Sequence, residues 1–158
     1  MKQYNFKKQL LLLLFLPVYI KADTIRLGVY AVITNQNNEI LLTKTQSGSK
    51  VIYNFPGGGI DSGESFAQAL KRECLEELGI NITISKRIFS SQNLYPHKDF
   101  PYSRMFNLYY LVQTDELANA LADDCIDIAW VSLDNLPLDE MLDVDKEFVK
   151  FYQSEIQV

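Results

Sequence analysis

The chain has 158 residues, 47% of them hydrophobic and 22% charged, with a net charge of −5. That is enough material for one ordinary domain with a real core, and the composition excludes a disordered chain. No stretch is strongly basic, which argues against duplex nucleic acid as a partner, because that affinity comes mostly from cations meeting phosphates.

The first 23 residues stand apart as a separate segment. Lys2, Lys7 and Lys8 precede an apolar run from Leu10 to Ile20, and Lys21-Ala22-Asp23 follows. A basic flank, an apolar stretch and a terminal Ala have the outline of a secretory signal. Against that, Ile20 and Lys21 make a poor small-x-small site before Ala22. The run is too short to span a bilayer as a helix. An interfacial anchor and an extra element packed on the domain are the other readings. Residues 1–22 thus leave export and membrane association open, while the substrate argued below favours the cytoplasm.

From residue 24 the pattern is that of one compact α/β domain reaching residue 158. Arg26 to Thr34 is rich in β-branched and aromatic residues and reads as a strand. Asn35-Gln36-Asn37-Asn38 reads as a turn, with Glu39 to Thr45 as the hairpin partner. A short strand over Val51 to Phe55 runs into Pro56 and three glycines. Ser65 to Leu78 is the clearest helix, with a Ser65/Gln68 capping-box signature and a Gly79 stop. Strands are expected over Thr83 to Ser90, Arg104 to Val112 and Ile126 to Ser132. A last helix, Asp145 to Ile156, has Phe148, Phe151, Tyr152 and Ile156 at core spacing. Strands interleaved with two helices predict a sheet covered on both faces. Cys74 and Cys125 lack metal-ligand spacing and read as reduced structural thiols.

The chemistry concentrates on the first helix. At 100° per residue, Glu73, Glu76 and Glu77 fall within one arc, beside an apolar stripe of Leu70, Cys74 and Leu78. Clustered like charges cost roughly 0.2–0.5 kcal/mol per i,i+4 pair even when solvated, and more against a sheet. A hard divalent cation removes that repulsion, since carboxylate oxygens suit Mg²⁺ or Mn²⁺. Arg72 lies close to Glu76 and can hold a carboxylate through its planar fork. An acidic cluster on a helix is also an ordinary solvated face, and three glycines are also an ordinary turn. The two together say more, because Gly57-Gly58-Gly59 lets backbone approach a metal or phosphate closely.

Gly58, Glu64, Arg72-Glu73, Glu76-Glu77 and Gly79-Ile80 at these spacings resemble the full box of the Nudix hydrolase family. Seven of these, all but the aliphatic position Ile80, are identities at fixed positions, a set that arises by chance on the order of once in 10⁸ windows of ordinary composition. Cys74 departs from the pattern, standing where the family usually has an aliphatic residue. Phe55-Pro56-Gly57 and the stretch from Trp130 to Pro137 also look like family features, so residues 24–158 would be the Nudix domain.

The resemblance implies an α/β/α sandwich with a mixed β-sheet, and a Mg²⁺-dependent pyrophosphohydrolase acting on a nucleoside diphosphate linked to another group. Carried over, Glu73, Glu76 and Glu77 would be the main metal ligands, with the Gly57 carbonyl assisting and Glu64 in a second sphere or on an additional metal. Arg72 would orient a box glutamate, and Glu76 or Glu77 would deprotonate the attacking water. The tail from Trp130 through Met141 to Asp143 and Asp145 resembles enzymes that hydrolyse oxidised purine nucleoside triphosphates. There a late aspartate reads the base edge; Asp145 is the nearest match, though the N-cap of the last helix is its plainer role. Pro96, sixteen residues beyond Ile80, instead resembles members that cleave ADP-ribose.

Substrate contacts are expected from Lys44 and from the segment Tyr95 to Arg104, which mixes aromatics with cations and reads as a substrate-covering loop or a plain surface loop. Trp130 reads as core and His97 as a solvated loop residue. The partner is a small-molecule nucleotide, and a membrane is touched only if residues 1–22 anchor the chain; a homodimer is one of the assembly states left open. The expected reaction is release of a nucleoside monophosphate and pyrophosphate from a (d)NTP-type substrate. ADP-ribose or a dinucleotide is the alternative, and a non-catalytic nucleotide-sensing or protein-binding module is the alternative of another class. Such modules commonly lose box glutamates, whereas Glu73, Glu76 and Glu77 are all present.

Overall fold

The computed structural model describes residues 24–97, 103–119 and 125–156. Residues 1–23, and residues 98–102 of the Tyr95 to Arg104 loop, lie outside the described residues.

Two sheets form the body. The larger is mixed, in the order β4-β1-β7-β5, with a short β6 also paired to β7. Its strands are β1 (Thr24–Val32), β4 (Gly57–Gly59), β5 (Thr83–Ser90), β6 (Tyr95–Pro96) and β7 (Ser103–Gln113). The smaller has the order β3-β2-β8, from β2 (Glu39–Ser47), β3 (Lys50–Asn54) and β8 (Cys125–Ser132). Helix α1 (Phe66–Leu78) and helix α2 (Asp143–Ile156) pack on separate cores.

The centre of the large sheet is β1, parallel to β7 and antiparallel to β4. Its carboxy-terminal half is apolar on both faces, as a strand covered by helices on both sides must be. Val29 and Ala31 join Leu70, Cys74 and Leu78 of α1 in one core cluster. Val32 joins Phe55, Tyr109 and Phe148 in the other. There the rings of Tyr109 and Phe148 stack at 4.3 Å and 7°, with Phe55 edge-on to both. Such aromatic pairs add about 0.5–1.5 kcal/mol each beyond their buried area.

The expected elements are present, and the fold is the α/β/α sandwich with a mixed sheet. The expected β1–β2 hairpin is not a ladder. The turn forms, Asn35 Oδ1 accepting from the Asn37 and Glu39 amides, and Thr34 bridges to Ile40. Beyond that bridge the strands part into different sheets, because β1 takes β4 and β7 as neighbours and β2 takes β3 and β8. Trp130 is also not in the core: it lies on the edge strand β8 and is 42% exposed. Cys74 and Cys125 are both buried, and burial pushes the Cys74 thiol up to about 12.

Candidate active site

The glycine bend places the helix. Ser65 caps α1 through a complete capping box with Gln68, and Gly79 closes it in the left-handed conformation at φ 67°. Ala69, Leu70, Cys74 and Leu78 bury one stripe, which turns the glutamate face toward β4. Gly57 sits at φ 137° opposite Tyr30 of β1, and its amide donates to Glu77 Oε2 at 2.8 Å. At Gly58 a Cβ would lie 2.7–2.9 Å from the carboxylate atoms of Glu73. The missing side chain is therefore the space that Glu73 fills.

Arg72 is the hub of the acidic face. Its Nε and Nη2 donate to the two oxygens of Glu64 at 2.8 and 2.9 Å, a fork on a carboxylate. Its Nη1 donates to Glu73 at 2.9 Å and Glu76 at 3.1 Å, and Nη2 also reaches the Gly59 carbonyl. The sequence placed Arg72 against Glu76; the bidentate grip on Glu64 is the additional feature. Arg72 and the Asp61 amide hold the Glu64 carboxyl below its ordinary range. Glu73 goes the other way: desolvation raises it, against the pull of Arg72. A half-buried carboxylate that burial pushes toward neutrality is a group whose charge wants a stronger partner.

Among the described residues no three acidic, histidine or cysteine groups already converge on one point. Arg72 Nη1 stands between Glu73 and Glu76, and Glu77 is turned to the Gly57 amide. The donor set still fits a hard divalent ion. All three groups are carboxylates on one helix face, and the Gly58 gap keeps the Glu73 oxygens against open backbone.

Beside Glu77 a cavity of 210 Å³ opens between the two sheets. Tyr30, Thr43, Asn54, Gly57, Glu77 and Leu142 line it. A larger cavity of 750 Å³ lies elsewhere, around Asn81, Thr114 and Glu116, and touches none of the box glutamates. Sequence reasoning missed Tyr30, Thr43 and Asn54, since a hydroxyl or amide in a strand gives no spacing signal. Asn107 was missed as well, although a buried Asn in an apolar strand is itself a signal. It stands opposite Gly28 in the β1–β7 ladder, with its backbone tied to the Ser91 hydroxyl.

The other expected contacts are more scattered. Lys44 is bonded to Asp127 at 2.6 Å and lies over the Tyr53 ring, while its neighbours Thr43 and Thr45 face the cavity. Alternation along β2 accounts for that, since adjacent residues face opposite ways. Arg104 pairs with Ile25 near the start of β7, five positions before Tyr109, or roughly 16 Å along the strand. Tyr95 pairs with Met105, and His97 is in the same hairpin. Asp145 is not an N-cap, because α2 begins at Asp143 and Asp145 is its third residue. It is 2% exposed and accepts from the Tyr109 hydroxyl at 2.6 Å.

Burial raises Asp145 to about 7. A carboxyl raised in the folded state binds its proton more tightly there than in the unfolded chain, where it titrates near about 4. The folded protein therefore loses stability as pH climbs from about 4 to about 7, and the loss is complete above that. Asp145→Asn removes this titration. Denaturant unfolding at pH 4.5, 6 and 7.5 is expected to show the variant gaining on the wild type across the window; a pH-independent difference would contradict it.

Comparison with known proteins points one way. The NUDIX domain model matches residues 24–152. A Bacillus subtilis (strain 168) protein named for 8-oxo-dGTP diphosphatase activity is 32% identical over 111 residues, covering 70% of this chain and 69% of that one. The NAD-capped RNA hydrolase NudC of Pseudomonas aeruginosa is 31% identical over 106 residues, 67% of this chain but only 36% of the longer relative. In structure, the MutT protein from Methanosarcina mazei Go1 superposes with a TM-score of 0.73 at 20% identity, covering 86% of this chain and 98% of that one.

Proposed function

The chain belongs to the Nudix hydrolase family, enzymes that act on pyrophosphate bonds, and on that premise we propose that it is a Mg²⁺-dependent hydrolase of a nucleoside triphosphate, with an oxidised purine nucleotide as the substrate class. The observation that carries this reading is the helix face of Glu73, Glu76 and Glu77 set against the Gly57–Gly59 bend, with Gly57 and Glu77 lining a cavity between the sheets.

Glu73, Glu76 and Glu77, with the Gly57 carbonyl, would hold Mg²⁺, and Mn²⁺ suits the same oxygens. Such an ion, when bound, would supply positive charge to the pyrophosphate oxygens. Arg72 keeps the helix face in register by fixing Glu64 and the box carboxylates, so little ordering remains when substrate arrives. Glu76 or Glu77 takes a proton from the attacking water, and attack in line at phosphorus expels the second phosphate-bearing group. Tyr30, Thr43 and Asn54 offer a ring and polar atoms to the nucleoside half.

A nucleotide panel tests the reading. Purified protein with Mg²⁺ is incubated with dGTP, 8-oxo-dGTP, ADP-ribose, a dinucleoside polyphosphate and a triphosphorylated RNA end, and the products are resolved. The expected result is monophosphate and pyrophosphate from the triphosphates, none of it with chelator present. Release of AMP from ADP-ribose with triphosphates untouched would replace this substrate by the diphosphate-linked class. No turnover of any compound would favour the non-catalytic module.

A further inference from the structure

Four positions of the β1–β7 ladder fall on one face of the large sheet. Gly28 pairs with Asn107 and Tyr30 with Tyr109, two residues further along each strand. Three of these positions carry large side chains, and the fourth has none. Gly28 is buried, and a Cβ on it would lie 2.7 Å from Tyr30 Cε2, 3.2 Å from the Tyr30 hydroxyl oxygen and 2.8 Å from Asn107 Oδ1. Unstrained contacts to carbon begin near about 3.5 Å, so the Tyr30 ring and the Asn107 carboxamide occupy volume that any other residue would need. Gly28 is not at positive φ, and it is the close approach of its neighbours that calls for glycine.

The neighbours of that ring are themselves held. Tyr109 stacks on Tyr30 at 5.6 Å and 27°, and is backed by the Phe148 ring at 4.3 Å. Its hydroxyl is fixed by donating to Asp145 at 2.6 Å. Asn107 is 2% exposed; its amide donates to Ser91 Oγ at 2.7 Å, and its carbonyl accepts from the Ser91 amide and hydroxyl at 2.9 and 3.1 Å. The open side of Tyr30 is the cavity of 210 Å³, which it lines together with Glu77 and with Gly57, its partner in the β1–β4 pairing. We propose that Gly28 is a positioning residue, whose missing side chain is the recess that seats the Tyr30 ring against the sheet and keeps the cavity beside Glu77 open to the nucleoside half of the substrate. This rests on the nucleotide-hydrolase reading above. A methyl group at position 28 drives the ring toward the cavity, because the other directions are packed. Gly28 touches no reacting atom, so it governs substrate affinity and leaves the chemical step alone.

Steady-state kinetics on dGTP with Mg²⁺ test it, with Gly28→Ala, Tyr30→Ala and the double variant Gly28→Ala/Tyr30→Ala. Gly28→Ala is expected to raise KM about tenfold with kcat within about twofold, the pattern of lost uniform binding. Tyr30→Ala raises KM as well, because the wall itself is gone. The double variant has a KM no higher than that of Tyr30→Ala, since the methyl group acts through a ring that is no longer there. An unchanged KM in Gly28→Ala, a loss that falls on kcat instead, or additive losses in the double variant overturns the proposal while the hydrolase reading stands. If Gly28→Ala fails to fold, an unchanged KM in Tyr30→Ala overturns it equally. A wild type inert toward dGTP and the rest of the panel removes both.

Discussion

Glu77→Gln is expected to lower kcat by about 10²–10⁴-fold, the usual contribution of a positioned acid–base group, while the fold survives. The substitution separates charge from shape. Glu77 Oε2 accepts from the Gly57 amide at 2.8 Å, and the carboxamide oxygen of Gln can keep that bond. The variant loses the negative charge and the capacity to take up a proton. Glu77→Gln should therefore melt within a few degrees of the wild type yet turn over far more slowly at saturating nucleotide and Mg²⁺. Turnover at the wild-type rate would remove Glu77 from the mechanism.

Gly57→Ala should act on the fold instead. Gly57 is at φ 137°, and an added Cβ would stand 2.1 Å from the Val29 carbonyl oxygen and 2.9 Å from the Tyr30 Cα. Both are backbone atoms of β1, the strand that binds both β4 and β7, so neither can rotate away. Left-handed strain of about 1–2 kcal/mol adds to an overpacking cost of about 1–3 kcal/mol. At roughly 2–4 °C per kcal/mol for a domain of this size, calorimetry should show a melting temperature about 10 °C lower. Gly59→Ala is the control, because a Cβ there meets nothing within 4 Å. A Gly57→Ala protein melting with the wild type would show that the bend relaxes more easily than its contacts imply.

The parts of this molecule that are local in sequence were legible in it. Ser65, Gln68 and Gly79 mark a helix whose caps are those expected, and helical spacing alone puts Glu73, Glu76 and Glu77 on one face. The site beyond the helix was less legible, since it depends on which strands become neighbours. Tyr30, Thr43 and Asn54 come from three strands in two sheets, and nothing in their own surroundings announces that meeting. Lys44 and Asp145 show the same limit. One is a cation turned to the other side of its strand by alternation, and the other an acid drawn inside by the Tyr109 hydroxyl. The turn after β1 was readable, but the strand's partners lie 79 residues downstream in β7 and on the far side of β3 in β4.

The parallel β1–β7 ladder, nine residue pairs from Thr24↔Ser103 to Val32↔Leu111, also bears on how the chain reaches this state. A ribosome exposes β1, the glycine bend and the whole carboxylate helix long before it releases the strand that completes the sheet. Contacts so distant along the polymer carry a large loop-closure entropy and slow the search for the native topology. Until β7 arrives, one edge of β1 has backbone amides and carbonyls with no native partner. In that interval the nascent enzyme is open to intermolecular strand pairing.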